Sequence, residues 1–219
     1  MNFILLSIST YLIGNIYSKL WKNFNKESII PTGFGFFLIF IILLVFFFSK
    51  IDFNDNRTIN FILFLKLIAT LYFFDDLYGF PAISRFILQF LLGSSSVYFL
   101  LTININNFGI FEIVIIFGIL SIFFSNVINF YDGLDLNLSI LMFIGLLLSL
   151  IFNQDTIFIN NLIFFSLSFI IGFSFLNLRP QTLYFGDSGC FMYTAILFTI
   201  ILSNLNIGNY KILLVLSSL

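Results

Sequence analysis

Oxygen-bearing side chains recur every three residues in the stretch SNVINFYDGLD, near the middle of the sequence. They are Asn126, Asn129, Asp132 and Asp135, and in a helix this spacing stacks side chains along one side. A solvated helix end would explain the Asp-Gly pair by itself. The two asparagines, however, extend into the preceding apolar run, where a buried amide requires a partner or a function. The stretch therefore predicts one polar wall of a binding site.

Two further stretches carry carboxylates at the ends of apolar runs. Asp75 and Asp76 are adjacent, and like charges this close repel unless a cation lies beside them. Asp187 precedes another apolar run, where capping a helix would equally explain it. In a sequence with no histidine and one cysteine, carboxylates are hard oxygen ligands that suit Mg²⁺ or Mn²⁺ better than zinc or copper. A metal ion held by these carboxylates could bridge to the phosphates of a substrate, and the predicted chemistry is therefore phosphoryl transfer. The possible partners of the phosphates are Lys26, Arg85 and Arg179.

The elements that must position these residues are membrane helices. Hydrophobic residues make up 60% of the 219-residue sequence and charged residues 9%, with a mean hydropathy of +1.12, outside the range of soluble domains. The apolar runs are continuous rather than alternating, which favours helices over a β-barrel. The runs are Phe3–Leu20, Phe34–Ser49, Ile59–Phe74, Ile83–Leu101, Phe108–Phe130, Leu138–Phe152, Ile159–Leu176, Gly189–Leu202 and a short one from Ile212. The sequence thus predicts an all-α polytopic integral membrane protein, a single domain over residues 1–219 with about nine transmembrane helices, the last one cut short.

The carboxylate-bearing stretches fall on alternate connections between these runs. Because consecutive spans are antiparallel, alternate connections face the same side of the membrane. Six of the ten acids lie in this set, namely Glu27, Asp75, Asp76, Asp132, Asp135 and Asp187. The same connections carry more lysine and arginine than the others, so the positive-inside rule predicts that they face the cytosol.

Four motifs, in order along the chain, resemble one family of membrane enzymes. PTGFG, FFDDLYGFPAISRFILQF, NVINFYDGLD and YFGDSG are similar to motifs of the polyprenyl-phosphate N-acetylhexosamine-1-phosphate transferases, of the glycosyltransferase family 4 type. These enzymes initiate peptidoglycan, O-antigen and related cell-envelope glycans in the bacterial cytoplasmic membrane. The resemblance implies a Mg²⁺-dependent enzyme, with Mn²⁺ as an alternative ion. Its substrates would be a UDP-activated N-acetylated sugar and polyprenyl phosphate, and UMP would be released.

The resemblance also implies roles for individual residues. The family's adjacent aspartates, one of which is proposed to deprotonate or position the lipid phosphate, match Asp75 and Asp76 as catalytic residues. The aspartate that holds magnesium matches Asp187. The predicted substrate-binding residues lie in the same set of connections and are Thr32, Asn129, Asp132, Asp135 and Arg179. No nucleic-acid partner is expected, and a homodimer is compatible with the resemblance.

Some features depart from the family pattern and leave alternatives open. Family members continue into a cytosolic loop with a histidine-containing motif and a last span, so this sequence is expected to lack both. PTGFG differs from the Thr-Met-Gly-Gly form of the peptidoglycan enzyme, which favours the O-antigen branch and UDP-GlcNAc or a related sugar. A truncated or degenerate non-catalytic member is one alternative. A transporter or flippase is another, although transporter sites lie near the bilayer midplane whereas these acids lie at helix ends.

Two features inside the spans do not belong to the predicted site. The small residues Gly93, Ser94, Ser95 and Ser96 predict a face of close helix packing rather than a ligand site. Lys66 lies in the middle of a span, where snorkelling or an internal ion pair would accommodate its charge.

Single cysteines introduced into a Cys190→Ser background test the predicted topology. Cysteines at positions 54, 106 and 160 should react with an impermeant thiol reagent added to intact cells, because these connections would face outward. Cysteines at positions 83 and 137 should be protected. Labelling of either protected position in intact cells would contradict the arrangement of all motifs on one side.

Overall fold

The structure, a computed structural model, describes residues 3–24, 30–48, 56–100, 109–132, 136–154, 157–178 and 183–218. These ranges contain helices and connecting segments and no strand. The α-helices are α1 (Phe3–Phe24), α2 (Leu38–Phe48), α3 (Asn56–Tyr78), α4 (Ala82–Leu100), α5 (Ile110–Asp132), α6 (Asn137–Phe152), α7 (Ile157–Asn177) and α8 (Gly186–Asn206). Two 3₁₀ helices cover Phe34–Phe37 and Tyr210–Ser218.

The predicted all-α membrane fold is confirmed, whereas the count of nine spans is not. Each predicted apolar run coincides with helix in the described residues. By length and composition, five of the described helices can cross a membrane, namely Phe3–Lys22, Ala82–Leu100, Ile110–Asp132, Ile157–Asn177 and Gly186–Asn206. The run from Ile212 lies in the 3₁₀ helix Tyr210–Ser218, which is not among these five. The protein is therefore a multi-pass membrane protein.

Helix α8 forms the centre of the bundle. Almost every residue from Gly186 to Leu205 is buried, and α3, α4, α5 and the first 3₁₀ helix pack around it. Two of its hydroxyl side chains, Thr194 and Thr199, donate within the helix to the carbonyl oxygens of Cys190 and Ala195, whereas the Tyr193 hydroxyl donates to the Met142 carbonyl on α6 at 2.9 Å. The surrounding helices instead expose large apolar side chains such as Phe111, at 75% exposure, as expected for a surface that faces lipid.

Small residues bring α4 and α5 into close contact, which confirms the predicted packing role of the Gly93–Ser96 run. A Cβ atom on Gly93 would lie 2.0 Å from the backbone oxygen of Phe117. On α5, a Cβ atom on Gly118 would lie 2.5 Å from the ring of Phe90. The Ser94 hydroxyl donates across the helix pair to the Val114 carbonyl at 3.3 Å. Without a hydrophobic driving force between helices in lipid, such close packing stabilises their association.

A network of amide side chains ties the helices together at the far end of α8. Asn204 donates to Asn153 Oδ1 at 2.7 Å, and Asn153 donates in turn to Asn160 Oδ1 at 2.9 Å. The Asn204 side-chain oxygen accepts from Asn209 Nδ2 at 2.9 Å and from the backbone N–H of Gln154 at 3.0 Å. At 1.5 Å per residue, this network lies about 26 Å along α8 from Asp187. The asparagines at this end of the bundle therefore have a structural role.

Replacing Gly93 with alanine should separate α4 from α5. Its added methyl group has no space beside the Phe117 backbone, and overpacking of this kind typically costs about 1 to 3 kcal/mol. The matched control is Gly109→Ala, because a Cβ atom at Gly109 meets no atom of the described residues within 4 Å. Thermal unfolding in detergent should show a lower midpoint for Gly93→Ala alone. Equal midpoints for the two variants would contradict the proposed packing.

Candidate active site

A cavity of about 430 Å³ opens where α8 begins. The C-terminal ends of α3 and α5 and the N-terminal end of α4 meet there. The lining residues are Thr32, Asp75, Asp76, Arg85, Asn129, Asp132, Tyr184, Gly186 and Asp187. All predicted site residues in the described part of the chain therefore surround one cavity. The other two, Asp135 and Arg179, lie outside the described residues.

Two carboxylates cap the N-terminus of α8 from neighbouring helices. Asp132, on α5, accepts hydrogen bonds from the backbone N–H groups of Phe185 and Gly186 at 3.0 and 2.7 Å. Asp76, on α3, accepts from those of Asp187 and Ser188 at 2.7 and 3.1 Å. The first N–H groups of a helix have no partner within it and attract negative charge. Both carboxylates are thus used to position the segment that carries Asp187.

Glycines allow the PTGFG segment to lie against the same turn. Gly33 and Gly186 both adopt positive φ, each at 82°, and a Cβ atom on Gly186 would lie 2.3 Å from the Gly33 nitrogen. The Gly35 N–H donates to the Phe185 carbonyl at 2.8 Å, and its Cβ position is only 2.0 Å from Gly189 Cα. Larger residues would push the two segments apart, so the PTGFG motif has a packing role beside Thr32.

The Asp76 carboxyl lies just beyond the apolar run Ile59–Phe74 and is shielded from water. Burial raises its pKa from the usual 3.8 to about 7, although hydrogen bonds from Ser188 and from the Asp187 N–H lower the pKa. The nearby charge of Asp187 raises the pKa further. The cap therefore retains a carboxylate whose ionisation is costly, which fits a role in positioning α8.

Arg85 joins two other carboxylates across the cavity. Its Nε atom lies 2.9 Å from Asp75 Oδ2, and its Nη1 atom lies 3.2 Å from Asp187 Oδ2. The Asp75 side chain is fully buried, whereas Arg85 is 37% exposed and Asp187 19% exposed. Asp75 Oδ1 also accepts from the Phe80 backbone N–H. Arg85 Nε donates to Asp75 Oδ1 at 3.2 Å. Asp75 Oδ2 accepts no hydrogen bond from the described residues, so it retains capacity to bind another partner.

A chain of polar side chains behind the cavity fixes the position of Arg85. The Tyr72 hydroxyl donates to the Arg85 carbonyl at 3.0 Å and is hydrogen-bonded to the Gln89 side chain. Asn126 donates to Gln89 Oε1 at 3.0 Å, and the Tyr72 ring stacks on Phe191 at 4.5 Å. Asn126, part of the polar stripe in the sequence, thus lies behind Arg85 beside a small inner cavity of about 20 Å³. That volume is about enough for one water molecule.

The donor set fits a magnesium ion that is shared with a substrate. Among the described residues, no three acidic, cysteine or histidine side chains form a group that could hold a metal ion. Mg²⁺ is usually bound by one or two carboxylates together with substrate phosphates and water. Asp187 and Asp75, with its oxygen that accepts no hydrogen bond, are a pair of this kind. Asn129 supports Asp187 through a side-chain hydrogen bond.

Sequence reasoning missed part of this site. Tyr184 and Gly186 line the cavity and belong to the YFGDSG motif, but neither was predicted as a site residue. Arg85 was one of several candidate phosphate partners, and its contacts with Asp75 and Asp187 were not anticipated. The available signal was its position ten residues after Asp75, at the start of the next apolar run. Because α4 begins four residues after α3 ends, a basic residue in the first turn of α4 lies close to the carboxylates at the end of α3.

Comparison with known families identifies the class of protein. The sequence model of the family described as glycosyl transferase family 4 matches residues 58–204, more than half of the chain. The protein belongs to this family, which confirms the resemblance of the motifs. Family membership implies transfer of a sugar phosphate to polyprenyl phosphate by a membrane enzyme. No curated protein matches the sequence.

The structure predicts different effects for the carboxylates that cap α8 and for Asp187. Asp132→Asn replaces one acceptor oxygen with an NH₂ donor, which leaves a buried backbone N–H without a partner. We expect a loss of about 1 to 3 kcal/mol in unfolding free energy, and a similar loss for Asp76→Asn. Asp187→Asn should cause no such loss, because within the described ranges the Asp187 carboxylate contacts the Arg85 side chain and accepts from no backbone N–H group. Denaturant titration in detergent measures all three, and an unchanged Asp132→Asn would contradict the capping role.

Proposed function

We propose that this protein transfers N-acetylhexosamine-1-phosphate from a UDP-sugar to polyprenyl phosphate and releases UMP. The observation that carries this proposal is the convergence of Asp75, Asp187, Arg85 and Asn129 on one cavity at one end of a membrane bundle. Carboxylates suited to Mg²⁺ beside a guanidinium suited to phosphates are the groups that a diphosphate substrate requires. The location suits a substrate whose phosphate lies at the membrane surface.

The reaction joins one phosphate to another without a change in oxidation state. An oxygen of the lipid phosphate forms a bond to the phosphorus that bears the sugar. The bond from this phosphorus to the bridging oxygen of the UDP-sugar breaks, and UMP leaves with the electron pair. The product is a sugar linked through a diphosphate to the polyprenyl chain. Catalysis of phosphoryl transfer consists largely of positioning the two substrates and stabilising charge.

The described residues divide these tasks. Asp187 and Asp75 would hold Mg²⁺, which when bound would neutralise charge on the diphosphate. Asn129 donates to Asp187, and its oxygen lies 4.0 Å from Cys190 Sγ, within range of a weak S–H donor. These contacts orient the Asp187 carboxylate toward the cavity. Arg85 supplies N–H donors in a planar fork that matches phosphate oxygens.

A general base is not required to activate the lipid phosphate. A phosphate monoester has its second pKa near 6, so most of it is already a dianion at neutral pH. Asp75 is buried against Arg85, and Asp76 accepts from two backbone N–H groups. We therefore propose that these aspartates, predicted from the motif to be catalytic, do not remove a proton. Asp75 would bind the metal ion, and Asp76 positions α8.

The finer assignments rest on the motifs and the charge pattern. The cavity lies at the end of the bundle that also carries Lys19 and Lys22, near the C-terminal end of α1, which supports a cytosolic orientation. The proposed location is the bacterial cytoplasmic membrane. The PTGFG form of the first motif supports an O-antigen type of pathway, with UDP-GlcNAc or a related sugar as donor.

Asp187→Asn should abolish magnesium-dependent binding of UDP-GlcNAc while the fold persists. The amide retains the side-chain shape but loses the charge that binds the metal ion. The matched control is Glu112→Gln, which makes the same acid-to-amide change in the first turn of α5, where the carboxylate accepts from the Gly109 N–H. Isothermal titration with and without Mg²⁺ measures the effect. Unchanged magnesium dependence in Asp187→Asn would contradict the metal assignment.

A further inference from the structure

Arg85 neutralises only part of the negative charge in the cavity. Its guanidinium contacts two carboxylates, Asp75 and Asp187, at 2.9 and 3.2 Å. One positive charge between two negative charges leaves this cluster with a net charge of −1. A diphosphate approaching the cluster is therefore repelled until further positive charge arrives.

The N-terminus of α8 cannot supply that charge. Helix N-termini commonly bind phosphates through their free N–H groups. Here the N–H groups of residues 185 to 188 already donate to Asp132 and Asp76. An anionic substrate must therefore rely on side-chain cations or on a metal ion.

The carboxylates that hold Arg85 are the same ones proposed to hold the metal ion. Asp75 Oδ2 is fully buried and lies 2.9 Å from Arg85 Nε, and no described residue donates a hydrogen bond to it. The Arg85 side chain is 37% exposed and lines the cavity, so it has room to turn toward a ligand. A divalent ion would change the net charge of the cluster from −1 to +1.

We propose that Arg85 is an exchangeable cation, which occupies Asp75 and Asp187 in the ligand-free protein and transfers to the substrate phosphates when a divalent metal ion binds these carboxylates. The inference rests on the proposed metal site and goes beyond it. It makes Arg85 the residue that couples metal binding to substrate binding. The protein thereby keeps a low affinity for the diphosphate until the metal ion is present.

A purely structural role of Arg85 makes the opposite prediction for metal binding. If the guanidinium only held Asp75 and Asp187 in place, its removal would let the carboxylates move apart and weaken metal binding. If it competes with the metal ion, its removal strengthens metal binding. The sign of the change in metal affinity therefore distinguishes the two roles.

The experiment measures Mn²⁺ binding to the purified full chain in detergent, by the electron paramagnetic resonance signal of free Mn²⁺. We expect Arg85→Gln to bind Mn²⁺ about five- to tenfold more tightly than the wild type, in the range of coupling between sites. In the same variant, Mn²⁺ should increase UDP-GlcNAc affinity less than it does in the wild type. Lys22→Gln removes an exposed charge from α1 near the same end of the bundle and should bind Mn²⁺ as the wild type does.

Two further variants make each outcome decisive. If Arg85→Gln does not fold, Arg85→Lys replaces it, because lysine keeps the charge but loses the planar fork that contacts both carboxylates. Its Mn²⁺ affinity should also exceed that of the wild type, and an affinity at or below it would overturn the proposal. If Asp187→Asn abolishes Mn²⁺ binding but neither Arg85 variant binds more tightly, the metal site stands and the exchange is wrong. If the wild type does not bind Mn²⁺, both are wrong.

Discussion

The hydrogen bonds from the first turn of α8 to Asp76 and Asp132 are the interaction on which the rest of the site depends. Four consecutive backbone N–H groups, from Phe185 to Ser188, donate to these two carboxylates. An α-helix that begins inside a protein must satisfy these groups. The two carboxylates come from α3 and α5, so the cap also fixes the ends of three helices relative to one another. Asp187 lies within this capped turn, so the cap also fixes the direction in which the Asp187 side chain points.

This cap also determines which positive charges in the cavity are available to a ligand. The partial positive charge of the α8 N-terminus is matched by the protein's own carboxylates, so it is not offered to a ligand. Asp75 and Asp187 instead form ion pairs with Arg85. The four aspartates thus form two structurally different pairs. One pair caps α8, and the other pair contacts Arg85, where we propose that the metal ion binds.

The sequence predicted the class of fold and most members of the site, but not how the site works. Continuous apolar runs identify helices because a bilayer allows few other structures, and polar residues at their ends stand out against that background. The number of spans could not be read in this way, since an apolar run such as Leu138–Phe152 forms a helix of 16 residues, shorter than the roughly 20 that a span requires. The capping role of Asp132 could not be predicted. The sequence places this carboxylate at the end of one helix, but it does not show that the backbone N–H groups at the start of another helix, α8, donate to it. That information lies in the backbone of Gly33 and Gly186, whose positive φ angles bring distant segments together.

An anomalous difference map from crystals of the protein grown with Mn²⁺ and UDP-GlcNAc tests the two roles of the aspartates most directly. We expect a manganese peak coordinated by Asp187 and Asp75, with Asp76 and Asp132 still accepting from the N–H groups of residues 185 to 188. A manganese ion coordinated by Asp76 or Asp132, with those backbone hydrogen bonds broken, would contradict these roles.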